Sequence, residues 1–225
     1  MIKIEHTNVS GFEAAIRGMR NPYNSWDKSD SVFIDYSFCD NPADYDLAMK
    51  CGGTAPIIKE NDKTLMMKLR NTGTDHRKFM RFIQVSCDVT APLYWWKEFD
   101  TYKVGTVANS CSTMHTIAAK EFTLDDFSHE HLSKYSEGVL NDLINALNSY
   151  RTTYIAKPEK FLWWQMIQLL PESYNQKRTL LISYEALANM YHGRKNHKLD
   201  EWLEFRNWIE KLPYSELITG GNADD

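Results

Sequence analysis

The apolar positions of this chain follow a period of two in parts of its first ninety residues and a helical period through most of the rest. Residues 1–6 alternate about Ile2 and Ile4, as a short strand does. Ser10 then offers an N-cap for a helix whose inner face is Phe12, Ala15, Ile16 and Met19. A loop rich in Asn, Pro, Ser and Asp fills 21–31. Residues 32–38 read as a strand, and 43–50 as a short helix before the Cys51-Gly52-Gly53 turn. From 64 to 90 the pattern is β-like, through Leu65, Met67 and Leu69 and then 79–89, with NTGTD at 71–75 as the turn between two strands.

After Val89 the rhythm changes. Ala91-Pro92 places proline in the first turn of a helix, where its missing N–H costs nothing, and Leu93, Trp96, Phe99 and Lys103 continue at helical spacing through 91–103. Residues 104–116 are small and polar, a loop of the kind that places backbone against ligands. Ser133 or Ser136 can cap a helix with Val139, Leu143, Ile144 and Leu147 on one stripe. Further helices are predicted over 161–170, ending at Pro171; over 182–194, with Leu187, Met190, Tyr191 and Arg194 on one face; and over 199–212, ending at Pro213. The expected fold is α+β: a sheet drawn mainly from the first ninety residues, flanked by long helices. One domain over 1–219 is expected, with a frayed tail at 220–225.

Composition narrows the function. A net charge of −4 without any Lys/Arg run argues against general nucleic-acid binding. No apolar run approaches the membrane-spanning length of about 20 residues. The N-terminus carries no cationic stretch followed by an apolar segment, so the cytoplasm is the expected location, with reduced thiols. Cys39, Cys51, Cys87 and Cys111 form no C-x-x-C pair, and no metal site is expected. His129 and His131 flank Glu130, but in a charged loop they read as solvated surface. Cys111 lies near His115 without a third, orienting group, so a small packed thiol is the better reading than a nucleophile.

Three stretches together carry a resemblance. Residues 85–103 run VSCDVTAPLYWWKEFDTYK, a strand turning through Ala-Pro into an aromatic helix; a polar loop follows; and 170–194 open on Leu-Pro and retain Leu187, Asn189 and Arg194. In order and separation this resembles the flavin-dependent thymidylate synthases over roughly 80–212, while 1–79 share only the strand-then-helix opening. The motif residues are mostly changed. Thr101-Tyr102-Lys103 stand at the family's Arg-His-Arg, and Glu98 at its preceding Gln. Thr106 and Cys111 stand at two serines, Thr113 at the following Arg, and Asn109 where an acid or amide is usual. Ser183 and Glu185 stand at Asn and Arg.

The resemblance implies a homotetramer that binds FAD and deoxyuridine monophosphate (dUMP) and methylates the base. It assigns cofactor contacts to Thr101, Tyr102, Lys103, Thr106, Asn109 and Asn189, and substrate contacts to Glu98, Cys111, Thr113 and Arg194. Arginine suits phosphate because its planar fork donates paired hydrogen bonds. Each charge-assisted bond contributes roughly 1.5–3 kcal/mol, so losing two weakens binding about a hundred- to ten-thousand-fold unless other groups compensate. Glu185 adds a negative charge beside the implied phosphate. Weak flavin and dUMP binding is therefore expected, with Arg151, Lys177 and Arg178 as candidate compensating cations. A non-catalytic protein that binds or sequesters a nucleotide on the same scaffold is the alternative. Arg194 needs an anionic partner, either ligand or a carboxylate such as Asp200 or Glu201, and the two readings weigh equally.

Overall fold

The computed structural model describes residues 1–220. In chain order its elements are β1 (Lys3–Ser10), α1 (Phe12–Arg20), β2 (Val32–Asp35), α2 (Pro42–Lys50), β3 (Thr54–Ile57), α3 (Glu60–Thr72), β4 (Gln84–Pro92) and α4 (Leu93–Phe99). There follow β5 (Thr106–Ser110), α5 (Thr113–Thr116), α6 (Lys134–Ala156), α7 (Lys160–Leu169), β6 (Asn175–Ser183), α8 (Tyr184–Gly193), α9 (Asp200–Ile209) and α10 (Glu216–Thr219). The class is α+β, as the pattern predicts. Four strands hydrogen-bond in the order β1-β4-β6-β5, and β2 pairs antiparallel with β3 from Val32↔Ile57 to Asp35↔Thr54. Half of the four-stranded sheet thus comes from beyond residue 90, which corrects the expectation that the first ninety residues build it.

The contacts divide the chain into two compact units. One comprises Met1–Lys3, Val89–Thr101 and Asn109–Arg178; the other comprises Ile4–Asp88, Tyr102–Ala108 and the chain from Thr179 onward. The tail expected at 220–225 lies outside the described residues except for Gly220, which caps α10 at φ +104°. Among the described residues, no helix is long and apolar enough to cross a membrane.

In the unit that holds α1, the expected inner face is the buried one: Phe12, Ala15, Ile16 and Met19 are at most 3% exposed. The cap differs. Gly11, not Ser10, precedes the helix at φ +91°, where an added Cβ would lie 1.9 Å from the Phe82 carbonyl oxygen, so only glycine fits. The largest correction is α3, which occupies residues expected to be a strand and a turn. Its buried positions are Asp62, Met66 and Leu69, a helical spacing, and its Lys, Leu and Met residues favour helix. Glu60 and Asp62 in its first turn and Arg70 in its last complement the helix dipole. The expected turn at 71–75 is this helix's end, with Gly73 at its C-cap.

Asp62 is fully buried beside Arg20, whose Nε donates to its carboxylate at 2.7 Å. The hydroxyls of Ser29 and Ser31 and the amide of Ser31 donate to the other oxygen. This network fixes the 24–31 loop against α3. The helix predicted over 182–194 begins at Tyr184 instead, because Ser183 ends β6 and caps α8 by accepting from the Ala186 amide. The helix predicted to end at 212 closes at Ile209.

In the other unit, Ile117, Phe122, Phe127, Leu140, Ile144, Leu147 and Met166 form one apolar cluster. Ser133 caps α6 through the Ser136 amide. Leu140 takes the buried place expected for Val139, which is 54% exposed. Helix α7 ends at Leu169, just before Pro171. Helix α4 is shorter than the predicted 91–103: β4 runs on through Pro92, and Thr101 Oγ donates to the Glu98 carbonyl just past the helix's C-cap, Asp100. Trp95, Trp96 and Phe99 are buried on α4 within 4.9–5.3 Å of one another, a packed aromatic core.

Candidate functional site

The polar loop predicted over 104–116 contains a strand and one helical turn, and its second part borders a cleft of about 480 Å³ within the α6-containing unit. That volume suits a small-molecule ligand. Cys111 N–H donates to the Lys177 carbonyl at 2.9 Å, tying the chain just beyond β5 to β6. Ser112 then caps the short α5 by accepting from the His115 amide, and Thr116 Oγ donates back to the Ser112 carbonyl at 2.6 Å. Cys111, Thr113 and Thr116 therefore lie along one wall of the cleft, with Tyr174, Gln176 and Lys177 among the residues lining it from 174–177.

Charge around the cleft is balanced. Lys120 and Lys177 line it together with Asp125 and Asp126, and Lys120 is ion-paired to Asp126. Burial, reinforced by the nearby Asp126 carboxylate, pushes the Tyr174 phenol up from its ordinary value, so it stays a neutral group. Gln176 Nε2 donates to the Cys111 carbonyl at 3.2 Å and to Thr113 Oγ at 3.3 Å, while its Oε1 accepts from Arg178 Nε at 3.0 Å. Arg178 also pairs with Asp100 at 2.7 Å and stacks 4.2 Å from the centre of the Trp96 ring.

Of the other residues singled out in this unit, Glu98 is half-buried on α4, Thr101 is exposed just after it, and Asn109 is exposed on β5. Cys111 and Thr113 are the two that line the cleft. Of the candidate compensating cations, Arg151 donates to the Ala118 carbonyl at 3.0 Å, Arg178 is committed to Asp100 and Gln176, and Lys177 lines the cleft. His129, weighed as a metal ligand, holds the Phe127 carbonyl through its Nδ1–H at 2.8 Å.

In the other unit, Tyr102 and Arg194 meet: Arg194 Nε donates to the phenol oxygen at 3.0 Å. The guanidinium also lies 5.3 Å from the Tyr102 ring centre and 4.9 Å from that of Trp202, so aromatic faces receive it. Thr106 Oγ donates to the Tyr102 carbonyl at 2.6 Å, and Lys103 is exposed. Asn189 Oδ1 accepts from Arg77 at 2.7 Å. Glu185, expected as a repulsive charge, is buried and paired with Arg81, with Arg77 Nε at 3.7 Å. Sequence reasoning missed both arginines, which lie before the first of the three motif stretches, at 85–103. Their one signal is Arg-x-x-x-Arg spacing across 77–81.

No protein-family model matches the chain. Botulinum neurotoxin type G from Clostridium botulinum is 28% identical over 135 residues, 53% of this chain, but the chain spans only 10% of that protein's length. Two solved structures of thymidylate synthase X from Helicobacter pylori, each with FAD and dUMP, superpose with TM-scores of 0.65 and 0.62. They cover 97–98% of this chain and 98% of their own at 15% identity. At that identity the likeness is one of fold: over nearly its whole length the chain has the fold of the flavin-dependent thymidylate synthase X structures.

Proposed function

We propose that this chain is a divergent, thymidylate synthase-like protein that binds a dUMP-like nucleotide in the 480 Å³ cleft. The observation that carries this reading is the presence in the cleft wall of Cys111 and Thr113, the loop residues to which the resemblance assigns substrate contacts. Lys177 is the cation on the cleft wall best suited to meet a phosphate, as a point charge in place of the family's Arg fork. On the synthase-like reading alone, the resemblance gives Glu98 and Arg194 substrate roles and Thr101, Tyr102, Lys103, Thr106, Asn109 and Asn189 cofactor roles. A homotetramer in the cytoplasm is the assembly and location that go with this reading.

FAD fits these residues poorly. Thr101 spends its hydroxyl on the Glu98 carbonyl, and Tyr102 accepts from Arg194, which leaves Lys103 as the exposed remnant of a three-residue cationic grip. The same observation favours the second reading, a nucleotide-binding or sequestering protein without methyl transfer.

Purified protein decides between them. A yellow preparation, or one that acquires flavin absorbance on adding FAD, supports the synthase-like reading. A colourless protein whose melting temperature rises with dUMP supports sequestration, since a ligand specific for the folded state stabilises it. No response to dUMP or other pyrimidine nucleotides overturns both. Light scattering should return four times the 26.3 kDa chain mass.

A further inference from the structure

We propose that Gln176 and Arg178 are positioning residues that clamp the 111–113 loop into the wall of the cleft; for its ligand, this inference rests on the nucleotide reading above. Chemistry fixes the orientation of the Gln176 amide. A guanidinium can only donate, so Oε1 must face Arg178 Nε, 3.0 Å away. The NH₂ group is thereby turned toward the loop, where the Cys111 carbonyl and Thr113 Oγ accept at 3.2 and 3.3 Å.

Arg178 is itself immobilised. Its side chain is 14% exposed, bonded to Asp100 at 2.7 Å and laid on the face of the buried Trp96. Trp96 closes the circuit by donating from Nε1 to the Gln176 carbonyl at 2.9 Å. A buried aromatic helix thus sets the shape of a polar loop through one arginine and one amide. A loop of small polar residues has few apolar contacts of its own, so these two donated bonds, with the Cys111 N–H bond to the Lys177 carbonyl, hold it in place.

Gln176→Met fills the same space without donating, and Arg178→Met removes the group that orients the amide. The probes are hydrogen exchange of the backbone amides over 111–116 and dUMP affinity by calorimetry. Both variants should speed exchange in that loop roughly tenfold and weaken dUMP binding by a similar factor, because two modest hydrogen bonds are lost. The melting temperature should fall only by the few degrees that two lost hydrogen bonds cost, and exchange in α6 should rise far less than in the loop, which a general structural role would not allow. Arg178→Lys should restore part of the protection by keeping the charge for Asp100. Unchanged loop exchange in both variants overturns the clamp, whatever the ligand. Faster exchange with unchanged dUMP affinity overturns its service to the cleft. If the parent protein ignores dUMP, the nucleotide reading fails, and the exchange measurement still decides the clamp. Should Gln176→Met fail to fold, Asp100→Asn tests the circuit from its far end.

Discussion

Single residues in this chain owe their roles to partners that no local pattern announces. Asp62 lies on a helix that alternation suggested was a strand, and Arg20 is 42 positions away, yet the pair is 0% and 4% exposed. Removing one member strands the other's charge in the interior, so Asp62→Asn should cost about 3–5 kcal/mol, read as a lower midpoint in urea. Burial alone would raise the Asp62 carboxyl, but the hydrogen bonds from Ser31, Ser29 and Arg20 outweigh it and hold the group below its ordinary value. A depressed carboxyl stabilises fully above its unfolded value of about 3.9 and loses that contribution as pH falls through the lower folded value. Asp62→Asn should therefore unfold with a shallower acid dependence below about pH 4 than the parent protein; an identical acid profile would refute the assignment. Glu185 teaches the converse lesson. Read along the sequence it is an acid where a phosphate-gripping Arg belongs, whereas in space Arg81 and Arg77 neutralise it.

Elements were legible where one face is strongly apolar. Helix α1 shows its buried stripe in the sequence, α6 begins at one of its two expected caps, Ser133, and α7 ends just before its expected stop at Pro171. Strand β5 gave no signal because four of its five residues are exposed, leaving no apolar alternation to read. Strand β6 is half-buried over its first four residues and carries Asn, Gln, Lys and Arg there, so its sheet membership shows only in hydrogen bonds to distant chain. Helix α3 was misread because Leu65, Met67 and Leu69 mimic a period of two, while the buried Asp62 that fixes the helical face is polar. Within α6 the sequence named the right helix but one wrong core position, Val139 for Leu140. Leu147, fully buried in the apolar cluster, gives the test at this scale. Leu147→Ala should cost about 2–5 kcal/mol through lost burial and a residual cavity, whereas Val139→Ala should cost less than about 1 kcal/mol. Comparable losses in the two variants would mean that the buried face of α6 has been wrongly assigned.

At the scale of the whole molecule, the fold was readable through order and spacing even though most signature residues had changed, because a scaffold depends on apolar periodicity and turns while a site depends on a few side chains. The same asymmetry predicts the ligand's dependence on charge. A protein of net charge −4 offers a dianionic phosphate no general attraction, and the cleft sets two lysines against two aspartates. Lys120 is already ion-paired to Asp126, and Thr113 stands where the resemblance implies an arginine. The phosphate should thus add less than about tenfold to affinity, roughly 1.4 kcal/mol, where an arginine fork would add far more. Calorimetry with dUMP and with deoxyuridine, each at low and at moderate salt, measures this directly. Similar constants for the two ligands and a shallow salt dependence are expected, because few counterions are displaced and the paired charges screen one another. A preference of more than about a hundredfold for dUMP, steeply weakened by salt, would require a cationic grip that the balanced cleft does not supply.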